Sequence, residues 1–207
     1  MVKKKSGERT LLASVVMSSP GPIVVGVGLL IGRSSTQLAD FIRRTSELIA
    51  IIVSWIVFRI LHKRGELDAA RKVKLERTAN LCVGAAMCLS GVGMLFITLF
   101  STYTEKGNVI PGLVIAVLGV TTNSWFWLRY RKLNHENPNA ILVAQSKLYR
   151  AKSLVDACVT IALTVVAIAP ATAAARYVDL IGSIIVAAYL IVNGITTVHE
   201  STLISES

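Results

Sequence analysis

Asp40-Phe41-Ile42-Arg43-Arg44-Thr45-Ser46-Glu47 runs directly into Leu48-Ile49-Ala50-Ile51-Ile52-Val53-Ser54-Trp55-Ile56-Val57-Phe58. The second half carries no charge and is apolar on every side of a helix, which a surface helix of a soluble protein is not. A bilayer core about 30 Å thick needs about 20 mostly apolar residues to cross it. Residues 35–61 supply that length only if the charged first half also lies at membrane depth. The fold and the chemistry are therefore read from the same stretch.

Five more stretches read as spans: 11–31, 78–102, 109–128, 140–169 and 178–199. The first contains Pro20-Gly21-Pro22, which predicts a kink or a break in its backbone ladder. The composition agrees with a membrane protein. Of 207 residues, 53% are hydrophobic and 16% charged, against about 25% charged in an ordinary soluble domain. Mean hydropathy is +0.62. Five prolines and fourteen glycines are too few for a disordered or collagenous chain. Cys82, Cys88 and Cys158 sit inside apolar runs and read as small packing residues rather than a disulfide frame. The expected fold is an all-α polytopic membrane protein, a single six-helix transmembrane domain over residues 1–207.

The net charge is +10, but the bases do not form the face or stripe that nucleic acid requires. They lie between the apolar runs, so no nucleic-acid partner is expected. Lys3, Lys4, Lys5 and Arg9 precede the first span. Arg59, Lys63, Arg64, Arg71, Lys72, Lys74 and Arg77 lie between the second and third, and Arg129, Arg131, Lys132, Lys147 and Arg150 flank the start of the fifth. The alternate loops hold only Arg33, Lys106 and Arg176. Positive residues mark the cytoplasmic side, so both termini are expected there, in the inner membrane if the cell is prokaryotic. The stretch from His62 to Arg77 reads as a short surface helix or ordered loop.

Ionisable residues inside a span cost roughly 2.5–3.5 kcal/mol each on insertion scales and face a bundle interior. The second and fifth spans hold nearly all of them. Each places an acid four residues after a base, Arg43/Glu47 and Lys152/Asp156, and that spacing puts both groups on one helix face. At about 1.5 Å of rise per residue, Glu47 lies about 18 Å and Asp156 about 20 Å from the outer ends of their helices. The two carboxylates thus share a level near mid-membrane. Their helices are the middle members of two three-helix halves, the placement expected of a repeat-built transporter. Two structural salt bridges are the plainer alternative. Arg44, about 100° off the Arg43 face, is placed to pair with Asp40. Asn80, Asn123 and Asn193 read first as interhelical hydrogen-bonding groups, with Asn123 also a candidate lining residue.

The chain resembles the cation diffusion facilitators from about residue 8 to 204. The likeness rests on the six-span layout and on Gly32-Arg33-Ser34 before Leu38-Ala39-Asp40. Further matches are Glu76, Asn123, Asn137-Pro138-Asn139-Ala140, Val178-Asp179 and His199-Glu200-Ser201. The resemblance implies a secondary transporter that exports a divalent cation in exchange for protons, working as a homodimer. It places the family's metal-site quartet at Arg43, Glu47, Lys152 and Asp156. At these positions the chain departs from its relatives: arginine stays protonated and cannot ligate metal, and no histidine lies within a span. Glu47 and Asp156 remain as metal candidates, hard oxygen ligands better suited to manganese, magnesium or calcium than to zinc. The cytoplasmic domain common in the family is not expected after the sixth span, so a dimer must use the membrane helices or loops.

The leading expectation is a cation transporter with Glu47 and Asp156 as ion-carrying acids and Arg43 and Lys152 as their charge partners. The substitutions also admit a monovalent, organic or anionic cargo. The alternative is a non-transporting or regulatory membrane protein whose site is closed by the salt bridges. No resident cofactor is expected. Without a histidine cluster, a Ser/His/Asp set or a phosphate loop, an enzyme is not expected either. Small residues at Gly84, Cys88 and Gly91 and at Gly182, Ala187 and Gly194 predict close helix approach, within the chain or at a dimer seam.

Overall fold

Long runs of Leu, Ile, Val and Ala satisfy every backbone group within a helix, which is what a bilayer demands. The computed structural model describes residues 2–31, 35–63, 68–100, 110–168 and 173–203, and every element among them is helical. In chain order these are α1 (Val2–Ser18), α2 (Pro20–Ile31), α3 (Ser35–Lys63), α4 (Ala69–Phe100), α5 (Ile110–Glu136), α6 (Ala140–Ile168) and α7 (Ala173–Leu203). Arg33, Lys106 and Glu66 lie outside the described residues, as do the side chains of Lys3, Lys4, Lys5, Asp40, Arg176 and Asp179.

The predicted break falls between α1 and α2. Pro20 has no N–H to give Val16, and its ring crowds that carbonyl. Ser19 repairs the gap: its hydroxyl donates to the Val16 carbonyl at 2.9 Å. The α5–α6 turn is as explicit. Asn139 accepts from the Ile141 N–H at 2.9 Å, an N-cap, while its own N–H donates to Asn134 Oδ1 at 3.0 Å.

Helices overrun the predicted spans mostly at one end of the bundle. α1 begins at Val2, α4 at Ala69, and α5 continues to Glu136. The expected separate surface element before Arg77 is instead the first turns of α4, because 69–77 is rich in strong helix formers and follows Asp68, a favoured cap. Ion pairs brace this end of the bundle, Arg59 of α3 to Glu8 of α1 at 3.5 Å and Lys147 of α6 to Glu200 of α7 at 2.7 Å.

The outer surface is apolar. Val24, Leu99, Phe100, Ile115, Leu118, Ile161, Ile168 and Ile185 are all exposed, and a belt of that extent marks contact with lipid. Among the described residues, four stretches suit a crossing by length and composition: Ser6–Val27, Phe41–His62, Ala69–Phe100 and Leu180–Thr202. The first runs through the α1–α2 break, so those two segments form one broken rod. The protein is a helical membrane bundle.

Inside, α4 packs along α7 and α5 along α6, while α3 lies against α4 and the α1–α2 rod. The α4–α7 seam uses the small residues. A Cβ on Gly84 would stand 2.9 Å from the Gly194 carbonyl, and one on Gly91 2.9 Å from the Ala187 carbonyl. Gly84, Gly91 and Gly194 are thus used within the chain, whereas among the described residues a Cβ on Gly182 would meet only Cys158, at 3.9 Å. Gly84→Ala is expected to overpack the seam at a cost of about 1–3 kcal/mol, with Gly182→Ala near neutral. Thermal melting of the two purified variants in detergent checks the contrast; equal melting points contradict it.

Candidate cation site

A cavity of about 430 Å³ lies among α2, α3, α5 and α6, beside the α1–α2 break. Its lining includes Gly21 and Pro22 from the broken rod, Arg43, Arg44 and Glu47 from α3, Gly119, Thr122 and Asn123 from α5, and Lys152 and Asp156 from α6. All four residues of the expected quartet therefore reach one space.

Their pairing differs from the one read along each helix. Glu47, only 4% exposed, is the centre. Its Oε1 lies 3.6 Å from Arg43 Nη1 and accepts from Ser90 Oγ at 2.9 Å; its Oε2 lies 3.3 Å from Lys152 Nζ. The ion pair of Arg43 with Glu47 along α3 is present. Lys152, however, crosses from α6 to Glu47 rather than pairing with Asp156 along its own helix. Its long stem allows this, and the ammonium sits 5.2 Å from the Tyr149 ring centroid, within cation–π range.

Asp156 is held differently. Asn123 Nδ2 donates to its Oδ2 at 2.6 Å, and among the described residues Asp156 makes no ion pair within 4 Å. One turn along, Ser124 and Ser153 hydroxyls meet at 2.6 Å and fix the spacing of α5 and α6. Gly119 gives the carboxylate its room: a Cβ there would stand 2.5 Å from Asp156 Oδ2. Asn123 is thus both an interhelical bond and a lining group. Asn193 is neither, since its amide donates to the Tyr189 carbonyl of its own helix.

Toward the end of the bundle where α1 begins and α7 ends, aromatic rings fill the interior. Tyr130 and Tyr149 are fully buried, their centroids 5.4 Å apart, with Phe126 5.0 Å from Tyr149. Tyr130 OH shares a hydrogen bond with Ser14 at 2.7 Å, and Tyr149 OH one with Ser18 at 3.2 Å. These hydroxyl pairs join α5 and α6 to α1. Sequence reading passes over them, as it passes over Ser90 and Gly119, because each is an ordinary packing residue within an apolar run.

A buried ionic cluster facing a cavity midway along a lipid-exposed helical bundle is the construction of a membrane transporter. The cation efflux transmembrane domain family matches residues 11–204, nearly the whole chain, and the chain belongs to that family. It is a cation transporter of that kind. Comparison with curated proteins gives no match. Among the described residues, no group of three or more His, Cys, Asp or Glu is placed to hold a metal ion.

Proposed function

We propose that the chain is a secondary active transporter in which Glu47 and Asp156 receive a cation, with proton movement in the opposite direction as the resemblance implies. The observation that carries this is the Lys152–Glu47 contact across two helices. In this arrangement the Lys152 ammonium lies against Glu47 while Asp156 rests on a neutral amide. An arriving cation that takes Asp156 shares the cavity with Lys152 and weakens its hold on Glu47. Since α3 and α6 are joined at that contact, exchanging the partner of Glu47 gives cargo a differential effect on two arrangements of the helices, as any ligand-driven change requires.

The aromatic cluster of Phe126, Tyr130 and Tyr149 supports a direction. It stands between the cavity and the end rich in Lys and Arg, which the charge bias makes cytoplasmic. This arrangement is then one with the cytoplasmic way shut. A second reading, a bundle permanently closed by its ion pairs, draws on the three partners that Glu47 already has. The two readings part in proteoliposomes under an imposed proton gradient. The transporter takes up a cation, and Glu47→Gln/Asp156→Asn falls to the background of protein-free vesicles. Equal uptake by the double variant sinks the role of the acids, and no uptake by the unaltered protein favours the closed bundle.

A further inference from the structure

We infer, resting on the transporter reading, that the cargo of this cavity is a monovalent cation seated at Asp156, and that Lys152 and Arg43 exclude divalent metal ions. The quartet's formal charges cancel, Arg43 and Lys152 against Glu47 and Asp156, and Arg44 adds one more base to the lining of the same cavity, so its described residues offer a cation no net negative charge. Stripping water from an ion costs in proportion to the square of its charge in the Born picture that makes burial of ions expensive. Attraction to a fixed set of charges grows only with the first power. A divalent ion entering a balanced quartet therefore meets about four times the dehydration cost of a monovalent ion of similar size, for only twice the attraction.

The placement of the groups sharpens this. Glu47 already accepts from Ser90 and lies within ion-pair distance of both bases, one of them an arginine that keeps its charge. Asp156 accepts from a neutral amide at 2.6 Å. Thr122 and Asn123 line the same cavity and bring a hydroxyl and an amide oxygen, hard acceptors with no charge. One carboxylate beside neutral oxygens offsets one positive charge. Zinc draws on nitrogen and sulfur ligands and calcium on six to eight oxygens, and no group of three or more His, Cys, Asp or Glu is placed to hold a metal ion among the described residues; two carboxylates could serve manganese or magnesium, but one of them is already taken by both bases.

The test uses the purified full chain in proteoliposomes with a proton gradient, offered radioactive sodium, rubidium, zinc or manganese. Sodium or rubidium uptake is expected at about tenfold or more above protein-free vesicles, with loss of that excess in Asp156→Asn. Zinc and manganese are expected to stay at background. Lys152→Gln removes the base held against Glu47, leaves the quartet itself one charge negative and Arg44 the only added base among the described lining residues, and is expected to admit manganese. Unaltered elution from a sizing column shows that both variants fold. Divalent uptake by the unaltered protein that needs Asp156 overturns this inference and leaves transport standing. No uptake of any of the four ions overturns this inference and counts against the transporter reading. Monovalent uptake with no manganese gained in Lys152→Gln overturns the part assigned to Lys152.

Discussion

Glu47→Gln is expected to lower the melting point of the detergent-purified protein by about 10 °C. The change keeps the side chain's shape and removes its charge, leaving Arg43 and Lys152 facing each other. Their side chains are only 17% and 15% exposed. Removing one partner of a buried ion pair costs about 3–5 kcal/mol, because the other charge is left without compensation. For a chain of this size each kcal/mol shifts melting by roughly 2–4 °C. The pairing itself is tested by the double variant. In Glu47→Gln/Lys152→Gln one of the two stranded bases is gone, so the double variant should melt above Glu47→Gln alone. Groups in one network couple rather than add; strict additivity of the two losses would contradict the contact. Swapping the charges of Arg43 and Glu47 is a harsher test, since it restores the pair along α3 but leaves Lys152 facing an arginine.

The cross-helix contact at Lys152 also marks where sequence reading stops. Spacing along one helix is set by 3.6 residues per turn, so Arg43/Glu47 was legible, and so was the shared depth of Glu47 and Asp156. Which acid Lys152 meets depends on how α6 is rotated about its axis against α3. No local pattern encodes that rotation; the packing of α5 and α6, fixed partly by Ser124 and Ser153, decides it. The break at Pro20 was legible because proline removes a donor wherever it stands. Its neighbour's repair, Ser19 to the Val16 carbonyl, was not, since serine has many local uses. The helix ends fell beyond the predicted spans for a similar reason. A hydropathy reading stops where charge begins, whereas Ala69–Arg77 continues as helix on propensity alone.

The small residues divide into two kinds that look alike in sequence. Gly84, Gly91 and Gly194 bring α4 and α7 backbones together, and this seam carries none of the cavity-lining groups. Gly119 stands on the other helix pair, α5 and α6, and its missing side chain is occupied by a functional group rather than by a neighbouring backbone. Substitution at the first kind is expected to show in stability, and at the second in transport.

Gly119→Ala should therefore lower cation flux by about tenfold to a hundredfold, with melting lowered by a few degrees. A Cβ at that position would stand 2.5 Å from Asp156 Oδ2 and 2.9 Å from its Cγ, distances that van der Waals contact forbids. The Asp156 side chain is short, so it cannot bend aside and still accept from Asn123 at 2.6 Å. Losing a hydrogen bond to a charged group costs about 1.5–3 kcal/mol, and about 1.4 kcal/mol is a factor of ten. Part of the same loss shows in stability, since alanine's advantage over glycine as a helix former, about 1 kcal/mol, offsets only some of it. Gly182→Ala is the control, since among the described residues a Cβ there meets only Cys158, at ordinary contact distance. The measurement is proteoliposome uptake of whichever cation the unaltered protein carries, set beside melting of the same preparations. Undiminished flux in Gly119→Ala would mean that the carboxylate need not keep its seat on Asn123, and the role of Asp156 as the cation's seat would fall with it.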